Sequence, residues 1–191
     1  MNKILPQQFY ERDPKIVARE LLGKILWRKT DRGIISGMIV ETESYGGTDD
    51  PASHAYKKIT PRNKVMFGPP GLAYVYFCYG MYYLFNIVTG KNGIPSAVLI
   101  RAIQPIEGID LMKKVRHTSH IKDLANGPGK LTRAFFIDRS FNAKPVFSGY
   151  LLVKDNPIKP DIVRKKRIGI KLGADKLLRF YIKSNPYVSL P

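Results

Sequence analysis

Apolar positions recur along this chain with two different periods, and the switches between them mark out the elements. Asp13-Pro14 reads as a helix start, with an N-cap acceptor followed by the residue favoured at the first helical position. Ile16, Val17, Leu21 and Leu22 follow at helical spacing, and Gly23 predicts the stop. The period then shortens. Lys24–Lys29 and Gly37–Tyr45 read as strands about a turn at Thr30–Gly33. Glycine and proline punctuation predicts loop over 46–71. Leu72–Tyr79 is apolar on both faces, the pattern of a central strand, and Met81–Val88 and Ser96–Ile103 read as its successors. Helical spacing returns over Gly108–Val115 and Pro128–Phe136. Pro145, Pro157 and Pro160 predict a long surface excursion over 141–163, and short strands are expected around Arg167–Ile170 and Leu178–Ile182. No repeat or linker divides residues 1–191, so one domain is expected. Strands without regularly interposed helices predict a largely antiparallel sheet with peripheral helices, not a doubly wound fold.

Composition narrows the class. At 44% hydrophobic and 25% charged, the 191 residues carry enough apolar material for a core, which excludes a disordered chain. The single cysteine, Cys78, excludes an internal disulfide and a multi-cysteine zinc site, and its apolar strand predicts a core position. No apolar run approaches the ~20 residues that span a bilayer. The opening residues MNKILPQQFYERD meet proline and charge too early for a signal peptide, so an intracellular protein without membrane association is expected.

Charge points to a partner. The formal net charge is +17, well beyond the magnitude of about 2–8 that keeps a small domain soluble, and it favours a polyanion, nucleic acid first. The surplus is uneven. Residues 37–101 hold six basic and four acidic residues, a net +2, and the rest of the chain carries 26 basic and 11 acidic residues, a net +15. The densest basic run, Arg164-Lys165-Lys166-Arg167, reads either as a phosphate contact or as a solvated turn.

Two familiar motifs fail. Gly127-Pro128-Gly129-Lys130-Leu131 lacks the first glycine and the Ser/Thr of a phosphate loop, and His117-x-x-His120 lacks a third ligand and reads as a solvated helix end. The nearly neutral centre is more informative. In Ile39–Tyr45, strand alternation puts Glu41, Glu43 and Tyr45 on one face, as either a buried polar site or a solvent-facing edge strand. Tyr74, Tyr76, Phe77, Tyr79, Tyr82, Tyr83 and Phe85 fall within twelve residues. A core would favour Phe and Leu, because each tyrosine hydroxyl needs a partner, whereas tyrosines in a basic protein suit base stacking. A carboxylate, tyrosines and a histidine without a metal cluster suit hydrolysis of a base–sugar bond, which passes through an oxocarbenium-like sugar and needs a carboxylate to deprotonate water. Zinc-dependent deamination is disfavoured, because its histidine–cysteine ligand set is missing. Two other readings stay open: a non-catalytic nucleic-acid-binding protein, and an RNA-modifying enzyme.

The chain closely resembles the alkyladenine (3-methyladenine) DNA glycosylase family, the single-domain type found in animals and many bacteria. The matching residues are Ile39–Tyr45, His54, Thr60–Asn63, Met66-Phe67, Gly71, Tyr74–Asn86 and Val98–Ala102. Gly127-Pro128-x-Lys130-Leu131, Arg167–Gly169 and Leu178–Tyr181 continue the match. Ser44 and Tyr187 depart from it, where members often carry Ala and some carry Trp. The resemblance implies a compact α+β domain with a curved, mainly antiparallel sheet. It implies Glu43 as the general base and Arg101, with the Ile168 main-chain carbonyl, as holders of the attacking water. Tyr45, His54 and Tyr76 would form the base pocket, Tyr79 the wedge entering the duplex, and Asn86 the group that discriminates against the guanine amine. It implies no metal and no cofactor. The substrate would be double-stranded DNA carrying 3-methyladenine or 7-methylguanine, attacked by a monomer that leaves an abasic site.

Overall fold

The computed structural model describes residues 2–190. Its first helix, α1 (Pro14–Glu20), forms where the Asp13 side chain accepts from the Lys15 N–H, and it buries Val17 and Ala18. The strands are β1 (Ile25–Thr30), β2 (Gly33–Tyr45), β3 (Ala73–Cys78), β4 (Tyr82–Val88), β5 (Ala97–Glu107), β6 (Leu151–Lys154), β7 (Ile162–Lys165) and β8 (Arg179–Ile182). Helices α2 (Ile109–Arg116) and α3 (Pro128–Ala134) pack together, and α3 also lies against β4 and β5.

All eight strands join one antiparallel sheet that curls into a half-barrel, which makes the fold α+β. The path runs β3-β4-β5-β2-β1-β6, while β8 pairs with β2 and β7 with β8. The 13-residue β2 is the spine. It pairs with β1 and β5 along its length and with β8 over Glu41–Glu43. Register shifts at Ser36/Gly37 and on both sides of Glu41 bend it, as bulges do. At Gly37 the strands come too close for any side chain: a Cβ there would lie 2.3 Å from Ile103 Cγ2. One face of β2 packs on the main core, where the Thr42 hydroxyl donates to the Ala18 carbonyl of α1 at 2.8 Å. Glu41 and Glu43 leave the opposite face. They are buried, so the edge-strand alternative is excluded.

Three expectations need correction. Residues 141–163 are not a surface excursion: Val146 is fully buried, and Leu151–Lys154 form β6 against β1. The prolines punctuate this segment without expelling it. The expected strand at Arg167–Ile170 lies instead at Ile162–Lys165, because Arg167 turns inward to an ion pair and Gly169 takes φ +73°. Finally, β3 is a terminal strand, although apolar on both faces. Residues 142–144 cover its free edge: the Ala73 N–H donates to the Lys144 carbonyl and the Val75 N–H to Asn142 Oδ1.

Candidate active site

The site grows from β2 and β5, which lie side by side and point acidic and basic side chains at one another. Arg101 of β5 bridges both carboxylates of β2. Its Nε donates to Glu41 Oε1 at 3.1 Å, and its Nη1 lies 3.3 Å from Glu43 Oε2. Glu41 also accepts from Arg179 Nη1 on β8 at 3.0 Å and from the Ser189 N–H at 2.7 Å. Glu43 accepts from the Ile168 N–H on Oε1 and from the Tyr45 hydroxyl on Oε2, both at 2.8 Å. Its Oε1 thus holds a single hydrogen bond and keeps acceptor capacity.

Above Glu43 lies a cavity of about 530 Å³, in the size range of small-molecule sites. Arg101, Tyr45, His54, Tyr76, Tyr79, Asn86 and Ile168 all line it, whereas the eighth expected site residue, Glu43, is fully buried behind the lining and bonded to three of its members, Arg101, Tyr45 and Ile168. Its aromatic wall is built locally. Alternation on β3 sends Tyr74 and Tyr76 to one face, where their rings lie 5.1 Å apart. His54 comes from the 46–71 loop and packs on Tyr76 at 4.6 Å, while its Nδ1 shares a proton with the Tyr74 hydroxyl at 2.9 Å. Asn63 knots that loop by donating to the His54 and Lys58 carbonyls. Asn86 of β4 is buried and donates to the Tyr74 carbonyl at 3.2 Å.

The wall is uncharged at neutral pH. Burial, then the neighbouring Glu43 charge, pushes the Tyr45 phenol well above its ordinary value. Burial likewise raises Tyr76 and brings Tyr74 to about 12. Burial, helped by the Arg62 charge, lowers His54.

At the cavity mouth, β3 and β4 turn through Tyr79 (φ 51°) and Gly80 (φ 68°), a tip with both central residues left-handed. Glycine adopts this freely; a tyrosine there costs about 1–2 kcal/mol. The strained residue projects outward, 84% exposed.

The structure gives a place to residues for which the sequence offered no site role. Gly127, Pro128, Gly129 and Lys130, rejected as a phosphate loop, line the cavity, with Lys130 Nζ held by Asn126 Oδ1 at 2.8 Å. Cys78 is half-buried on the cavity wall, not in the core, because β3 emerges from the sheet there. His117 and His120 are exposed at the end of α2, as a solvated helix end requires. Arg167 is buried on Asp50, 117 residues away. Nothing local separates it from the three cations before it. Among the described residues no three His, Cys, Asp or Glu side chains gather as a metal site, and no helix is long and apolar enough to cross a membrane.

Comparison with known proteins agrees with this geometry. Residues 8–186 match the model of the family described as Methylpurine-DNA glycosylase. A protein of Carboxydothermus hydrogenoformans is 50% identical over 189 residues, covering 97% of this chain and 98% of its own. One from Methanocella arvoryzae is 48% identical (97% and 96%), and one from Legionella pneumophila strain Corby is 47% identical (97% and 97%). Each bears the name "Putative 3-methyladenine DNA glycosylase". With a family match across nearly its whole length and relatives at about half identity, the chain belongs to the methylpurine-DNA glycosylase family.

Proposed function

We propose that the protein is a base-excision-repair glycosylase that acts as a monomer on duplex DNA, flips alkylated purines into the cavity and hydrolyses their N-glycosidic bond. The observation that carries this reading is the buried Glu43 behind an aromatic cavity whose tyrosines and histidine are uncharged, with an exposed tyrosine at its mouth. Tyr79 enters the stack and fills the gap left by the flipped nucleotide. Flipping costs a few kcal/mol, less at a damaged pair, and the basic surface offsets that cost through phosphate contacts. Tyr45, His54 and Tyr76 receive the base. Alkylated purines such as 3-methyladenine are cationic, so electron-rich rings and a neutral His54 suit them. Asn86, which lines the cavity, opposes a guanine amine.

The chemistry needs one water. Arg101 and the Ile168 backbone hold it beside Glu43, which removes its proton as the oxygen attacks C1′. The C1′–N bond breaks, its electron pair leaves with the base, and the cationic purine departs neutral. The oxygen stays on the sugar, leaving an abasic site. No lysine nucleophile is required, so the enzyme is monofunctional.

The test is single-turnover release of 3-methyladenine from methylated duplex DNA, with chelator present, for the wild type and Glu43→Gln. Release by the wild type alone supports the reading. Equal release by both removes Glu43 as the base. Binding without release by either leaves only a nucleic-acid-binding platform.

A further inference from the structure

Arg167 has no part in the chemistry above, yet its side chain is fully buried and its partner Asp50 is nearly so. Its Nη1 and Nη2 donate to Asp50 Oδ2 and Oδ1 at 2.6 and 2.8 Å, the bidentate geometry that distinguishes arginine from lysine. Further bonds run to the Ser44 carbonyl at 3.0 Å and the Gly173 carbonyl at 3.4 Å. Its guanidinium carbon sits 4.7 Å from the centroid of the Tyr45 ring. Asp50 in turn accepts from the Gly46 N–H at 3.0 Å and the Ala52 N–H at 3.3 Å.

These contacts tie three separate stretches of chain together. The first is the end of β2, with Ser44 and Tyr45. The second is the turn 46–52, which leads to His54. The third is the segment 167–173, whose second residue, Ile168, places its N–H on Glu43 Oε1. Segments 46–52 and 167–173 contain no helix or strand, so no ladder of their own holds them. Both groups that donate to Glu43 besides Arg101, the Tyr45 hydroxyl and the Ile168 amide, hang directly from the two sides of this ion pair.

We propose that Asp50 and Arg167 are positioning residues that hold the Tyr45 hydroxyl and the Ile168 amide on Glu43 and thereby set the rate of base excision without contributing to DNA affinity. The proposal rests on the glycosylase reading. A buried ion pair adds little net stability over apolar residues of the same volume, although breaking it is costly, so what sets this pair apart is its place between the two groups that donate to the general base. Small misplacements at a reacting centre cost up to about a hundredfold in rate.

The test compares wild type, the isosteric Asp50→Asn, and Arg167→Lys, which keeps the charge but loses the bidentate fork, each assayed well below its own melting temperature. Single-turnover release of 3-methyladenine from methylated duplex DNA should fall by roughly tenfold to a hundredfold in both variants, with half-saturating DNA concentration within about threefold of wild type. The double variant should lose little more than either single one, because both remove one interaction. Amide exchange followed by NMR supplies a readout independent of activity: the Ile168 N–H should lose protection in the variants while the amides of β1 and β2 keep theirs. Variants that excise at the wild-type rate, or that fail only through weaker DNA binding, overturn the proposal. So does unchanged protection at Ile168. A wild type that releases no base overturns the glycosylase reading itself, and this inference with it.

Discussion

The floor of the cavity and the tip of the β3–β4 hairpin lie within one site and are built on opposite terms. On the floor, Glu41, Glu43 and Asp50 face Arg101, Arg167 and Arg179, all buried, three carboxylates balanced by three guanidiniums in a protein of net charge +17. Every carboxylate there accepts hydrogen bonds from two or more separate stretches of chain. At the tip, Phe77, Tyr79, Met81 and Tyr82 stand 40–84% exposed, apolar surface held away from any core on a strained turn. The floor has its geometry set before any substrate arrives, as preorganised electrostatics requires. On the proposed function, the tip keeps its apolar surface for a duplex to cover. Reaction and recognition would then be separated into a buried polar layer and an exposed aromatic one.

Four substitutions break or sharpen this contrast. The largest effect belongs to Glu43→Gln, which should lower excision by about 10²–10⁴-fold or more while DNA binding persists, measured by single-turnover assay and gel shift. Second is Glu41→Gln, which leaves Arg101 and Arg179 without their shared charge. It should cost about 3–5 kcal/mol of stability in urea denaturation, as breaking buried ion pairs does. Tyr79→Ser should do the reverse: stability within about 0.5 kcal/mol of wild type, and affinity for a paired lesion weakened by roughly 1–3 kcal/mol, the worth of a base-stacking ring. A stability loss at Tyr79, or none at Glu41, would dissolve the distinction between floor and tip.

The smallest effect concerns pH. The folded His54 has a lowered pKa, from burial first and the Arg62 charge second, so the unfolded chain takes up its proton more readily. Stability from this group is complete above its unfolded value near 6.5 and declines as pH falls toward the lower folded one. His54→Gln should flatten the fall in melting temperature just below about pH 6.5, whereas Tyr79→Ser should leave that slope intact.

Much of the scaffold was legible because its signals are local. Asp13-Pro14 starts α1, the two-residue period over Gly37–Tyr45 marks β2, and Gly80 marks the tip. Errors arose where a local pattern has two tertiary solutions. The apolar pattern of Leu72–Tyr79 fits a central strand or, as here, an edge strand covered by a loop. Leu151-Leu152-Val153 is too short a run, among prolines, to announce a strand, and it forms one only because β1 offers a free edge. Placing Glu43 and Tyr45 on one face required only alternation. Their hydrogen bond to each other, and the neutral aromatic wall near them, required the fold.

By itself, the sequence determined most of the elements, the antiparallel class, the excess of positive charge and the residues eligible for chemistry, because these depend on composition or on neighbours a few positions apart. It also carried the family in the order of its short motifs. Of the buried cations, the family resemblance singled out Arg101 for the site, and tertiary structure alone brought Arg167 and Arg179 to it. By local pattern all three look like any of the 32 basic residues in the chain. They become part of the floor because β2, β5, β8 and the 167–173 segment meet there, 60 to 138 residues apart in sequence. Burying three carboxylates at that meeting point is tolerable only if three guanidiniums are buried with them.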